Sequence, residues 1–195
     1  MYGTLISSGA TGTSEINPTT VDDGLVETAS GTLDFASRLL GTGALKIDAG
    51  ATLQADAAAV STLTTVFNGG DATLALKLPK TFAATIGGFA ATDTIDLLAE
   101  QATSASINPS DQLVILDKTV TLATLQLTGA YTDATFSFQS DGHGGTDVTL
   151  MSGVPETHAF VEAMAGLGGV NASMGELTGW IPAAPATRLL SPTVR

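Results

Sequence analysis

Short apolar segments recur along the first half of the chain in two interleaved phases, each opened by Gly, Asp or Thr and closed by an aliphatic or aromatic residue. One phase runs through Gly24-Leu25-Val26, Gly43-Ala44-Leu45, Thr65-Val66-Phe67 and Thr85-Ile86. The other runs through Gly31-Thr32-Leu33, Gly50-Ala51-Thr52-Leu53, Asp71-Ala72-Thr73-Leu74 and Asp93-Thr94-Ile95. The step within each phase is roughly 19 to 22 residues, the length of one turn of a β-solenoid. A single turn of this size has too few apolar side chains, at about 1.5–3 kcal/mol each, to offset an ordering cost of about 1–2 kcal/mol per residue. Stacked turns share a continuous core and become stable together. The expected fold is all-β, a parallel β-solenoid, right-handed by the general preference of parallel crossovers.

Composition agrees with a thin, regular core. Aromatics are 5% of the chain, and 22 glycines accompany abundant Ala, Thr and Leu, so small and β-branched side chains must fill the interior. The formal charge of −12 opposes binding to nucleic acid or anionic lipid and makes divalent cations the more natural charged partners. The absence of cysteine removes disulfides, thiol nucleophiles and soft metal sites. Met1-Tyr2-Gly3-Thr4-Leu5 has no basic segment leading into an apolar run, so no N-terminal signal peptide is read there, and no stretch reaches the roughly 18 apolar residues of a membrane span. Export would then need a C-terminal signal, and Met1 with a tapering tail reads as a complete chain.

Three regions follow from the pattern. Residues 1–20, rich in Gly, Ser and Thr with Leu5 and Ile6 as an isolated apolar pair, read as a flexible arm awaiting a partner. Residues 21–150 hold the solenoid and a hairpin-rich end. Within the coils, Leu74, Leu76 and Leu78 alternate and should share an inward face, while Asn68-Gly69-Gly70-Asp71 and Gly87-Gly88 supply positive-φ corners. Beyond Leu98, Gln112–Leu116 and Thr119–Leu127 flank a tight Asp117-Lys118 connection, and Phe136–Gln139 and Asp147–Leu150 flank a glycine-rich turn. These are two hairpins that would cap an open end. Residues 151–195 combine a short helix with a Pro-containing tail. In the helix, Phe160, Val161, Met164 and Leu167 fall at helical spacing between Thr157 and Gly168.

The segments Gly43–Leu53, Val66–Leu74 and Ile86–Leu97, followed by Ala123–Tyr131 and Phe136–Asp147, resemble the β-strand repeat module of large proteobacterial surface and adhesin-like proteins, autotransporter-like or type I-secreted. The resemblance covers about residues 24 to 150. It implies an extracellular solenoid of adhesive or scaffolding role, often exported through an uncleaved C-terminal signal, and it implies no catalytic residues. Here the module is almost the whole chain, so a short copy would gain multivalency by assembling.

The densest candidate site is Asp141-Gly142-His143-Gly144-Gly145-Thr146-Asp147, where carboxylates around glycine turns suit calcium. It departs from the calcium-binding nonapeptide repeat in glycine placement and occurs once, so Asp141 capping its own turn is the competing explanation. Asp22, Asp23, Asp48, Asp71, Asp93 and Asp96 are expected at solenoid corners, with Asp71 and Asp93 in one row as further calcium ligands between subunits. A solvated acidic surface is the preferred explanation of them. His143 and His158 lie in unrelated segments, no serine sits in a nucleophile elbow, and no phosphate-binding glycine loop occurs, which leaves no catalytic set. Phe67, Phe82 and Phe89 fall where core packing accounts for them. Trp180 in the tail is a candidate anchor.

These observations point to a non-enzymatic, secreted structural protein, a subunit of an extracellular filament or biofilm-matrix fibre assembling head-to-tail with itself through Leu5, Ile6 and Trp180. Cell-surface polysaccharide is a further candidate partner. A monomeric adhesin or carbohydrate-binding module is the alternative, and a polysaccharide-degrading β-helix enzyme is a weaker one because no aromatic or basic groove is visible in the pattern.

Overall fold

The computed structural model describes residues 2–151. The chain divides into two units, 1–154 and 155–195, and the helix and tail expected over 151–195, with Trp180 and His158, lie outside the described residues apart from Met151.

The repeat phases become a parallel β-solenoid of about five turns. Its first face stacks β1 (Thr4–Ile16, N-terminal half), β3 (Leu25–Phe35, N-terminal half), β5 (Ala44–Asp48), β7 (Thr64–Asn68) and β9 (Thr85–Gly87). The second face stacks the C-terminal halves of β1 and β3 on β6 (Thr52–Ala55), β8 (Thr73–Leu76) and β10 (Thr94–Leu97). A third, narrower face consists of β2 (Thr20–Asp22) and β4 (Leu39–Gly41), continued by bridges through Ala59 and Phe82.

In-register stacking turns the sequence repeat into columns of side chains. Leu33, Leu53, Leu74 and Ile95 form one fully buried column, and Phe35, Ala55, Leu76 and Leu97 another. On the first face Val26, Leu45, Thr65 and Ile86 stack, with Thr28, Ile47 and Phe67 beside them. The first phase therefore aligns Thr65, not Phe67, with Leu45. A slip of two residues keeps every side chain on the same face, so apolar alternation cannot distinguish the two registers. Phe67, Phe82 and Phe89 are all in the core, the rings of Phe67 and Phe89 lying 5.3 Å apart.

Corners fall where small and turn-forming residues were expected. Asp71 has φ 61° and Gly69 φ 123°. Gly88, at φ 73°, has no room for a side chain, because a Cβ there would sit 2.4 Å from the Phe67 carbonyl oxygen of the neighbouring coil. Leu78 departs from expectation. Strand β8 ends at Leu76, Pro79 starts a short 3₁₀ turn, and Leu78 is exposed, because the proline turns the chain before the alternation reaches it.

Residues 4–16 are not a free arm. They form β1, paired in parallel with β3, with register shifts at the corner between Ser7 and Thr13. Leu5 and Ile16 pack on the core above Val26 and Phe35, so the captor of this segment is the next coil of the same chain.

The opposite end is closed. β11 (Ser104–Ile107), β12 (Gln112–Asp117) and β13 (Val120–Thr128) form an antiparallel sheet whose last residues continue the first face by pairing with β9. β14 (Phe136–Ser140) and β15 (Thr146–Leu150) form the second hairpin, with β15 antiparallel to β10. Leu113, Ile115, Leu122, Leu125, Phe136 and Val148 are buried over the last coil.

Candidate functional site

Several acidic residues serve the solenoid's own backbone. Asp93 is buried and accepts from two main-chain amides, Ala72 N–H at 3.2 Å through Oδ1 and Ala90 N–H at 2.9 Å through Oδ2. Burial pushes its pKa up, and these two amides pull against that. Asp71 stands one register position away, since Thr73 pairs with Thr94, so Asp71 aligns with Thr92 and points out while Asp93 points in. The row expected of Asp71 and Asp93 therefore does not form, and Asp93 has committed both oxygens. Asp22 is likewise buried, with Oδ1 taking the Gly24 N–H at 3.0 Å. Its Oδ2 occupies the space a side chain at residue 43 would need, which is why Gly43 stands there. Asp23 Oδ1 accepts from the Thr42 amide at 3.0 Å and its hydroxyl at 3.2 Å, bridging two coils. Asp48 receives Asn68 Nδ2 at 2.7 Å and Lys46 Nζ at 3.0 Å, and these two contacts, Asn68 first, hold its carboxyl below the usual range. Lys46 also meets Glu27 at 2.8 Å.

The glycine-rich loop is built around Asp141. Its Oδ1 accepts the His143 amide at 2.7 Å and the Gly145 amide at 2.9 Å, and these lower its pKa, His143 most. The turn-capping role is thus filled by this side chain. Nearby, Asp147 stands directly across the antiparallel β10–β15 pair from Asp96. Burial first, then Asp147 and Asp141, raise Asp96 to about 6, while His143 pulls it down. Burial and Asp141 raise Asp147 as well. Sequence spacing does not reveal the Asp96–Asp147 opposition, because it arises from pairing across some fifty positions. Among the described residues no group of three or more His, Asp or Glu is placed to hold a metal ion.

The second face carries two outward columns. Thr13, Thr32, Thr52, Thr73, Thr94 and Thr149 follow one another in register, ending at Ser137. Beside them run Glu15, Asp34, Gln54, Asp96 and Asp147, interrupted between Gln54 and Asp96 by the buried Ala75. Strand spacing repeats these groups about every 4.8 Å.

The first coil is the other distinctive surface. Among the described residues β1 pairs with β3 alone, so its far edge presents main-chain donors and acceptors along both faces. Leu5, Ile6, Ser14, Ile16 and Leu33 line a shallow groove there. Ile6 is 56% exposed, and Tyr2 and Val21, on the same end, are exposed as well. The expected pair Leu5 and Ile6 divides between the two sides of the strand, Leu5 packing inward and Ile6 facing out. Ile16 and Glu15, which no local pattern in the sequence singles out, complete the edge. Among the described residues no helix is long and apolar enough to cross a membrane. In comparisons with known proteins no family model matches the chain, and no curated protein is similar to it at a significant level.

Proposed function

We propose that the chain is a structural subunit of an extracellular assembly that associates with its own copies through the first coil. The observation that carries this reading is the edge of β1. It has Leu5 and Ile16 beneath it, and Glu15 is the one charged residue from Tyr2 to Ile16 in a chain of net charge −12. Exposed strands in monomers are ordinarily guarded by Lys, Pro or inward charges, and this one has none of the three between Thr4 and Ile16. The likeness of residues 24–150 to adhesin repeat modules supports an extracellular setting, with residues 155–195 as the segment that would carry an export signal.

Electron microscopy of the purified protein, with calcium and after chelation, tests the reading together with sedimentation over a range of concentrations. Oligomers are the expected result, and monomers at every concentration would sink it. Loss on chelation would add calcium at the contacts.

The in-register threonine column of the second face favours one other reading, a monomeric module that binds surface polysaccharide through repeated hydroxyls. Glycan binding by the monomer, abolished by replacing Thr52 and Thr73 with valine, would support it instead.

A further inference from the structure

The shape of β1 specifies how two copies meet. Its two arms, Thr4–Ser7 and Thr13–Ile16, contribute four residues each to the two faces, separated by the corner Ser8-Gly9-Ala10-Thr11-Gly12. On the first arm Leu5 and Ser7 point inward over Val26 and Thr28, and on the second Ser14 and Ile16 point inward over Leu33 and Phe35. The arms are therefore mirror-ordered about the corner, apolar at the outer position and serine at the inner one.

We infer that two copies join head-to-head, the first coil of each lying on the first coil of the other about a two-fold axis through this corner. The inference rests on the self-association proposed above and names its partner as a second copy of this chain. The rotation lays the first arm of one copy antiparallel to the second arm of the other. Leu5 then faces Ile16 of the second copy, Ser7 faces Ser14, and outside the core Ile6 faces Glu15. Each pair occurs twice, as an isologous contact requires.

The register is specific. A slip of one residue sets inward side chains against outward ones, and a slip of two puts Leu5 on Ser14 or Ser7 on Ile16, burying a hydroxyl against an apolar side chain and leaving the other apolar group without its match. The charge distribution favours the same partner. Two molecules of charge −12 repel one another overall, and between residues 2 and 16 Glu15 is the single charge that such a contact brings together. The small residues of the corner place no bulky side chain between two corners brought together.

A charge swap tests the register. Ile6→Glu faces Glu15 of the second copy at both symmetric pairs and should weaken dimerisation by at least about tenfold. Ile6→Lys should leave it intact or tighten it, and Ile6→Glu with Glu15→Lys should restore it. Ile6 lies outside the core, so circular dichroism and thermal midpoint should stay at wild-type values. Since the chain has no native cysteine, a mixture of Ser7→Cys and Ser14→Cys proteins should form a disulfide-linked heterodimer on oxidation, at a yield well above either variant alone. Association that persists equally in all three charge variants, without the mixed disulfide, would overturn the head-to-head register while leaving self-assembly standing. A wild-type monomer at every concentration would overturn both.

Discussion

The two ends of the solenoid solve the same physical problem in opposite ways. Any stack of coils must stop, and at each stop the last coil exposes core side chains on one side and a strand edge around its rim. At the C-terminal end the chain changes from parallel coils to antiparallel hairpins, which bring Leu113, Ile115, Leu122 and Leu125 over the interior and convert the last parallel edges into pairs with β13 and β15. At the first coil no such change occurs, and β1 adds Leu5 and Ile16 to the core columns while its far edge stays outward. Capping costs the chain a further fifty residues or so at one end. The other end, left as a bare repeat, has the geometry to accept another strand.

The sharpest way to break this comparison is to remove β1. Deleting residues 1–16 uncovers Val26, Leu33 and Phe35, each worth about 1.5–3 kcal/mol when buried. The deletion should lower the denaturation free energy by roughly 5 kcal/mol and increase aggregation, as β3 becomes a new and more apolar edge. A soluble monomer of unchanged stability would show instead that the segment is dispensable.

Single substitutions rank the ends. Ile115→Ala, in the cap, should cost about 2–5 kcal/mol by chemical denaturation, whereas Leu5→Ala, half-buried at the first coil, should cost about 1 kcal/mol or less. Equal losses would mean that the first coil is as tightly closed as the cap. Native-state hydrogen exchange should follow the same order, slow in β5 to β8 and β12 and fast in β1.

A smaller effect of opposite sign is expected between the ends. The Thr65 hydroxyl is buried without a hydrogen-bond partner in a column otherwise made of Val26, Leu45 and Ile86. Thr65→Val keeps the shape and removes that cost, so a gain of about 1 kcal/mol should appear in equilibrium unfolding.

The smallest predicted effect concerns pH at the cap junction. The folded chain holds the Asp96 proton more tightly than the unfolded one, with a pKa raised from 3.8 to about 6. Its contribution to stability is therefore complete below 3.8 and is lost as pH rises to about 6. The lowered carboxyls of Asp48 and Asp141 act in the other direction, their contributions disappearing only as pH falls below the ordinary carboxylate range. The thermal midpoint should decline modestly from pH 4 to 6, and Asp96→Asn should flatten that segment and raise the midpoint at pH 7. An unchanged profile in the variant would assign the decline to other groups.

Much of the fold is legible in the residues themselves. Apart from β1, each coil of the second face is marked by its Thr-Leu or Thr-Ile step, and the β12–β13 and β14–β15 hairpins by alternation around a turn, because strand period and turn chemistry are local properties; β1 and β11 carry no such mark. The corner glycines and Asp71 were legible for the same reason. The candidate surfaces were less so. Leu5 and Ile6 stand out as an apolar pair in a polar segment, yet Gly, Ser and Thr around them read as a loose arm, since a strand that owes its order to one neighbour, β3, carries little propensity of its own. Asp71 and Asp93 looked equivalent until a coil length differing by one residue turned one outward and the other inward.

The amino-acid sequence by itself determined that this chain coils, where it turns and where coiling gives way to hairpins, because short β-prone segments repeating about every twenty residues bury their apolar side chains by stacking on the next repeat. Only the tertiary structure decided which edge is covered and which is not, that Asp96 and Asp147 confront one another, and that the arms of β1 are mirror-ordered over the core. Those are properties of register between segments distant along the chain, and register is set by the sum of all the columns packing at once.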